Sequence, residues 1–442
     1  MDIIRGIIGI VAILGIAFAF SKNKKHIDWR MVATGLGIQL VLAVFILKGR
    51  VLAEFWGPLG WPKEFFSWVS SFFVIVLNFT TKGAVFLFGN LAKSPGMENS
   101  LGAFFAFQVL PTIIFFASLT AILYHYGILQ WVVKWMAIGM QKLMGTSGAE
   151  SLNVVSNIFV GQTEAPLVIE PYIKNMTKSE LLAVMVGGMA TIAGGVMAAY
   201  VQMLGLSYSQ THGVPLDVGR LMFAEQLLGA SLMAAPAALI IAKILYPEVK
   251  EPVTKGTVKM NVESEDANGI DAAARGAGTG LKLAANVGAM LLAFIALLAM
   301  GNYFLEAFGD FTGINELIAG ELRIEKILGW VLAPLAFIIG IPWADAVSMG
   351  SLLGTKVVLN EFVAYLQLAD LVGDSALRPK TITMATFALC GFANFSSIAI
   401  QIGGIGSLAP GRKSELAKFG LYAVLGGTLA NLMTATFAGM LF

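Results

Sequence analysis

Long apolar runs recur along the chain, and polar residues gather in short intervals between them. Eight runs, at 3–21, 31–49, 101–124, 180–205, 221–246, 281–306, 381–405 and 417–441, stand out. Each reaches the roughly 20 residues that an α-helix needs to cross the hydrocarbon core. Pro111, Pro236 and the Gly194-Gly195 pair fall inside them, which membrane helices tolerate because neighbours re-satisfy the backbone. The run 126–144 differs, since it mixes Lys134 and Lys142 with two Trp, and predicts an amphipathic helix at the interface. Lys63, Glu64 and Lys82 interrupt the longer region 62–92. That region predicts interfacial helices, with a ninth span as the alternative.

Two stretches, 148–173 and 325–367, break the pattern. Each is moderately apolar, yet each carries a Glu and helix breakers near its middle. The first holds Gly161 and Pro166 around Glu164; the second holds G-I-P-W-A-D from Gly340 and L-N-E-F-V-A-Y from Leu359. A 26-residue segment broken at Gly161 and Pro166 cannot be one straight span, so both stretches predict re-entrant helical hairpins. Irregular backbone at membrane depth is allowed only where protein buries it or water reaches it. Broken segments at matching places in two halves mark a transporter's binding site. The halves match in order: Glu164, a Gly-rich span at 191–195 and an apolar span, then Glu361, a polar Gly-rich span at 391–397 and an apolar span. An inverted repeat is therefore expected.

Composition agrees with this reading. Of 442 residues, 57% are hydrophobic and 13% charged, against about 25% charged in soluble domains; the chain is expected to be an all-α polytopic membrane protein. Its net charge of +2 gives no reason to expect a nucleic-acid partner. One cysteine, Cys390, and three histidines argue against a disulfide scaffold and a Cys/His metal centre. The first run lacks a small-residue cleavage site and is read as a retained span. Lys22, Lys24, Lys25, Arg30, Lys174, Lys178, Lys243, Lys250, Arg412 and Lys413 place their loops inside and both termini outside, although Lys48 and Arg50 count against it. The segment 247–280 is a polar linker with one short helix near 268–276.

A carboxylate at a membrane helix centre costs about 2.5–3.5 kcal/mol even on the mild insertion scale, so Glu164 and Glu361 mark a solute or ion path unless a partner such as Lys356 satisfies Glu361. Gln162 and Thr163 add polar groups beside Glu164. Asn394 and Ser397 share a helix face and suit either a hydroxyl-rich ligand or interhelical packing. Asn157, the Val160 carbonyl, Thr191 and the Ile192 carbonyl offer oxygens to a small hard cation, while Asn157 serves equally as a helix cap. Glu225 lacks a helix-breaking context, and His26, His125 and His212 have no metal-ligand neighbour. No P-loop, dinucleotide fingerprint or nucleophile elbow occurs, and no catalytic residue or cofactor is expected. A polar-lined ion channel is the rival class, and a membrane enzyme using the two Glu residues is a more remote one.

Several motifs resemble the concentrative nucleoside transporters. They are G-Q-T-E-A-P at 161–166, A-A-P-A-A-L at 234–239 with Y-P-E at 246–248, I-D-A-A-A-R-G-A at 270–277, G-T-K-V-V-L-N-E-F-V-A-Y at 354–365 and C-G-F-A-N-F-S-S-I at 390–398. The resemblance implies a homotrimer in a bacterial inner membrane, with eight transmembrane helices, two re-entrant hairpins, and an elevator-type transport domain moving against a scaffold. The scaffold would comprise 1–125 and 281–306, and the transport domain 126–246 and 307–442, with 247–280 a cytoplasmic linker. Nucleosides such as uridine would meet Gln162, Thr163, Glu164 and Val196 on the base side. Glu361, Phe392, Asn394 and Ser397 would serve the ribose side. Asn157 resembles the sodium-coupled members, so Na⁺ is the expected coupling ion, held by Asn157, Val160, Thr191 and Ile192; a proton is the alternative. Asp345 is given no role.

Overall fold

A computed structural model describes residues 2–95, 97–256, 266–318 and 320–442, and within them every regular element is helical. The first part comprises α1 (Asp2–Ala19), α2 (Trp29–Phe55), α3 (Trp61–Phe88), α4 (Phe105–Gln108), α5 (Leu110–His125) and α6 (Ile128–Met144). Next come α7 (Gly148–Ser156), α8 (Glu170–Ile173), α9 (Lys178–Ala190), α10 (Gly194–His212) and α11 (Leu216–Leu245). After the linker follow α12 (Gly269–Thr312), α13 (Ile314–Leu317), α14 (Ile324–Ile338), α15 (Trp343–Val358) and α16 (Glu361–Gly373). The chain ends with α17 (Pro379–Leu389), α18 (Phe395–Leu408) and α19 (Lys413–Met440).

Local chemistry explains many of the boundaries. Capping boxes start α7 at Ser147 with Glu150 and α9 at Thr177 with Glu180, satisfying amides that the first turn leaves open. Asp28, Asn268, Asn360 and Asn394 cap α2, α12, α16 and α18 through their side chains.

Four expectations change. The region 62–92 forms one 28-residue helix, α3, instead of several interfacial pieces; its length and composition suit a span, and Lys63 finds a partner in Glu225 at 2.7 Å. The runs 180–205 and 381–405 are each broken, at Thr191–Ala193 between α9 and α10 and at Cys390–Asn394 between α17 and α18. The stretch 325–367 contains two breaks: α14 and α15 meet at 118°, and Leu359–Asn360 then separate α15 from α16. Gly340, at φ +113, occupies the first of these turns, in backbone space that side chains disfavour. Finally, helix starts at Gly269, so the last part of the linker and the span 281–306 belong to one 44-residue helix. Gly276 and Gly280 lie against Ala117, Ser118 and Ile114, and small residues of this kind let membrane helices approach closely. That contact carries α12 helically well beyond the apolar run.

Burial separates the inner helices from the outer ones. The most apolar windows of 178–212, Leu216–Leu245 and 410–440 are 83%, 89% and 78% buried, against 22% for α1 and α12. The two halves follow one order: a hairpin, a broken span, then a long helix. They also interlock, because α10 packs on α16 while α18 packs on the 165–169 arm of the first hairpin. Each broken span thus leans on the other half's hairpin.

Backbone contact between α14 and α15 depends on two glycines. A Cβ on Gly350 would meet the backbone of Gly329 and Ala333, and one on Gly329 would meet Val347. Gly350→Ala is expected to destabilise the protein by about 1–3 kcal/mol, whereas Gly139→Ala, with open space around it, should be neutral or slightly stabilising. Thermal unfolding in detergent, with the two variants side by side, checks this.

Candidate functional site

The tip of the first hairpin, the two span breaks and the α15–α16 break border one cavity of about 390 Å³, a volume in the range of small-molecule sites. Val160–Glu164, Ala193–Val196, Asn360–Phe362 and Phe392–Ser397 contribute its lining, with α5 and α12 forming another wall. Helices α10, α16 and α18 begin at the cavity, so their partly positive N-terminal ends meet it.

One pole of the cavity is anionic. Glu361 opens α16 and is buried, with 5% exposure. Its carboxylate accepts from Asn394 Nδ2 at 2.7 Å and from the Tyr200 hydroxyl at 3.3 Å. Asn394 is fixed by its capping role, since its Oδ1 accepts from the Ser397 amide at 2.8 Å and the Ser396 hydroxyl at 2.7 Å. Asn360 does the same for α16, accepting from the Val363 amide at 2.9 Å. Two Asn caps therefore set the carboxylate and its amide partner side by side. A carboxylate offers acceptors and an amide offers both functions, the combination that vicinal hydroxyls require.

The other pole is neutral and polar. Gln162 Nε2 donates to Ser397 Oγ at 3.1 Å, and Gln401 Nε2 donates to Gln162 Oε1 at 3.0 Å. Thr163 lies close to Gly404, and Glu164 is exposed at the rim. Val196 and Phe392 supply apolar lining. The expected ligand residues, Gln162 through Glu164, Val196, Glu361, Phe392, Asn394 and Ser397, thus line one space.

Beside this cavity, Asn157 is buried at the C-terminal end of α7, where no N-terminal amides await capping. Its Nδ2 donates to Asn153 O at 3.0 Å and Asn153 Oδ1 at 3.1 Å, leaving Oδ1 buried without a hydrogen-bond partner. Thr191, on the neighbouring break, donates to Gly187 O at 2.9 Å and keeps lone pairs free. The Gly194 amide bonds Phe159 O at 3.2 Å, tying the two breaks together. An unmatched buried acceptor between two helix C-termini has the donor chemistry that a hard cation needs.

Comparison with known proteins assigns the chain. Family models described as "Na+ dependent nucleoside transporter N-terminus", "Nucleoside recognition" and "Na+ dependent nucleoside transporter C-terminus" match residues 8–91, 106–207 and 226–439. The transporter YutK of Bacillus subtilis is 44% identical across 100% of both chains. The nucleoside permease NupC of Helicobacter pylori is 42% identical over 98% of this chain and 96% of its own. The structure of CNTnw in an inward-facing substrate-bound state superposes with TM-score 0.85 at 41% identity, covering 100% of this chain and 99% of the other. A CNTnw variant in an outward-facing state matches equally well, with TM-score 0.86 at 40% identity over 100% and 98%. The chain belongs to the concentrative nucleoside transporter family. It is a multi-pass protein of the bacterial inner-membrane type. Solved inward-facing and outward-facing forms connect this fold with alternating access.

Within the transporter, the reading of the sequence misses a polar hub behind the cavity. Lys356 does not bond Glu361; its ammonium donates to Ala388 O at 2.9 Å and Asn431 Oδ1 at 2.8 Å. Asn431 Nδ2 donates in turn to Ala190 O at 2.6 Å and Cys390 O at 2.7 Å. One amide on α19 thereby satisfies a carbonyl at each of the two breaks, at the end of α9 and just past α17. Asn431 stands amid an apolar run of α19, and a lone Asn in a span was the only available signal. Tyr200 and Gln401 also escaped notice, being flanked by apolar residues in runs that read as continuous spans. Glu225 pairs with Lys63 at 2.7 Å and Ser67 at 2.5 Å, away from the cavity. Asp345 accepts from the Thr381 hydroxyl at 2.6 Å, joining α15 to α17.

Removing Asn431 leaves the Lys356 charge and two helix ends short of partners. Asn431→Leu is expected to lower stability by about 3–5 kcal/mol. Adding Lys356→Met should cost less than the sum of the single changes, because the residues share one network. A double-mutant cycle of detergent unfolding free energies reads this coupling.

Proposed function

We propose that the chain is a Na⁺-driven symporter that takes up nucleosides such as uridine by alternating access. The observation that carries this reading is the two-pole cavity. Glu361, Asn394 and Ser397 offer ribose hydroxyls acceptors and donors on one side, while Gln162 and Thr163 offer hydrogen bonds to a base on the other. Phe392 and Val196 provide apolar surface between them for a planar ring. Family membership and the names of the relatives support the substrate class.

Sodium is the proposed coupling ion, and the unmatched Asn157 Oδ1 supports it. Asn157, the Val160 carbonyl, Thr191 and the Ile192 carbonyl form the proposed ion site. The ion would hold the first hairpin in the shape that presents Gln162, Thr163 and Glu164. The elevator mechanism and the homotrimer belong to the same proposal. The α5–α12 pair, joined closely through Gly276 and Gly280, suits the fixed scaffold. Helix α1 packs mainly on α19 and α11, and α2 packs on α11 as well as on α3, so their place in the scaffold rests on resemblance alone.

Proteoliposomes given separate Na⁺ and proton gradients test the reading with labelled uridine. Accumulation above the external concentration with Na⁺ directed inward is expected, which a channel cannot achieve. Glu361→Gln and Asn394→Ala should abolish uptake while the protein stays folded; wild-type uptake in either would remove the ribose assignment. Asn157→Leu should abolish the Na⁺ stimulation, and uptake driven equally well by protons alone would overturn sodium coupling.

A further inference from the structure

The neutral pole holds a polarity relay whose direction is set by the backbone. Gln401, on α18, is fully buried. Its side-chain amide faces two groups: the Met185 carbonyl of α9, at 3.0 Å, and the side chain of Gln162, at 3.0 Å. A backbone carbonyl only accepts, so the Gln401 atom facing Met185 must be the nitrogen. That nitrogen spends one proton on Met185 and the other on Gln162, which must therefore offer its oxygen. The Gln162 nitrogen is thereby turned toward Ser397, 3.1 Å away. One of its protons goes to the Ser397 oxygen, and the second is left for a ligand. Ser397, having accepted, keeps its hydroxyl proton to give.

Space for the relay comes from a missing side chain. A Cβ on Gly188 would approach Gln401 Nε2 to 2.7 Å and Gln162 Cβ to 3.0 Å. Gly188 thus lets both glutamines lie against α9.

We infer that Gln401 is a positioning residue that locks the Gln162 side-chain nitrogen as a hydrogen-bond donor toward the cavity, so that the transporter selects bases with a ring carbonyl over those with an exocyclic amine. Uracil and hypoxanthine offer an acceptor where cytosine and adenine offer an amino donor. An amino group directed at the fixed Gln162 donor leaves unmatched polar groups in a buried site, which disfavours binding. The inference rests on the nucleoside reading and goes beyond it, because it sets the preferred base edge through a residue that does not itself line the cavity.

The test is uptake by proteoliposomes of two matched pairs, uridine with cytidine and inosine with adenosine. In the wild-type protein the oxo member of each pair should have the lower KM, by roughly tenfold. Gln401→Met keeps the side-chain length but releases Gln162 to rotate, and should bring both KM ratios close to one. A general loss of folding would lower the maximal rate for all four substrates without altering the ratios. Gly188→Ala, which displaces the same amides from another helix, should reduce the ratios too. In a Gln162→Leu background, Gln401→Met should have no further effect on selectivity. Equal KM values in the wild type, or ratios preserved in both Gln401→Met and Gly188→Ala, overturn the inference while leaving nucleoside transport intact. Absence of any nucleoside uptake by the wild type overturns the transport reading and this inference with it.

Discussion

Peptide groups released by a broken helix have no water to turn to in the apolar interior, and the whole arrangement depends on how this protein satisfies them. An unpaired group there costs several kcal/mol, so each interruption needs a partner of its own. Asn431 supplies one amide to Ala190 and Cys390, the last turns of α9 and α17. Lys356 adds a positive charge against Ala388 and Asn431. A cation near helix C-termini is favourable because their exposed carbonyls carry partial negative charge. Together the two side chains make it possible to stop two spans midway, side by side.

This solution sorts the helix ends by sign. Carbonyl-bearing ends of α9 and α17 meet the hub, and the end of α7 lies beside Asn157. Amide-bearing ends of α10, α16 and α18 meet the cavity. Acceptors thus collect where a cation is proposed, and donors where Glu361 is held. The buried Glu361 carboxylate is stabilised by Asn394, Tyr200 and the start of its own helix, without an ion pair to Lys356. Lys356 remains committed to backbone carbonyls. That separation leaves Glu361 with acceptor capacity facing the cavity, which a tight Lys–Glu pair would have consumed.

Much of the site was legible because breakers and carboxylates cannot hide in an apolar chain. Glu164, Glu361 and the Gly-rich breaks stand out against hydrophobic neighbours, and their order in both halves points to one shared site. Hydropathy alone could not locate the breaks at 191–193 and 390–394, because the flanking residues are apolar enough to pass as continuous spans. The length of α12 was hidden for the opposite reason: its first turns look like linker, and their helicity depends on Gly276 and Gly280 meeting α5. Lys63 misled the reading of 62–92, since its partner Glu225 lies 162 residues away. Long-range partners also explain why Asn431 and Gln401 passed unnoticed: each is one polar residue whose significance depends on carbonyls brought in by other helices.

The first hairpin explains how ion and solute would be linked under the proposed function. Asn157 and Gln162 lie on one short irregular loop, tied to the α9–α10 break through the Gly194–Phe159 bond. A cation drawing in the Asn157 and Val160 oxygens would restrict the backbone that carries Gln162. The loop has little regular structure of its own, so its shape would be set by its partners: the proposed ion at one end, and Gln401 and Ser397 at the other. Ordering it before the solute arrives lowers the entropy cost of solute binding, and ligands that each favour the same ordered state bind cooperatively. By linkage the solute must strengthen ion binding by the same factor. Coupling in this fold would then need no contact between sodium and nucleoside, only one loop that both require in the same shape.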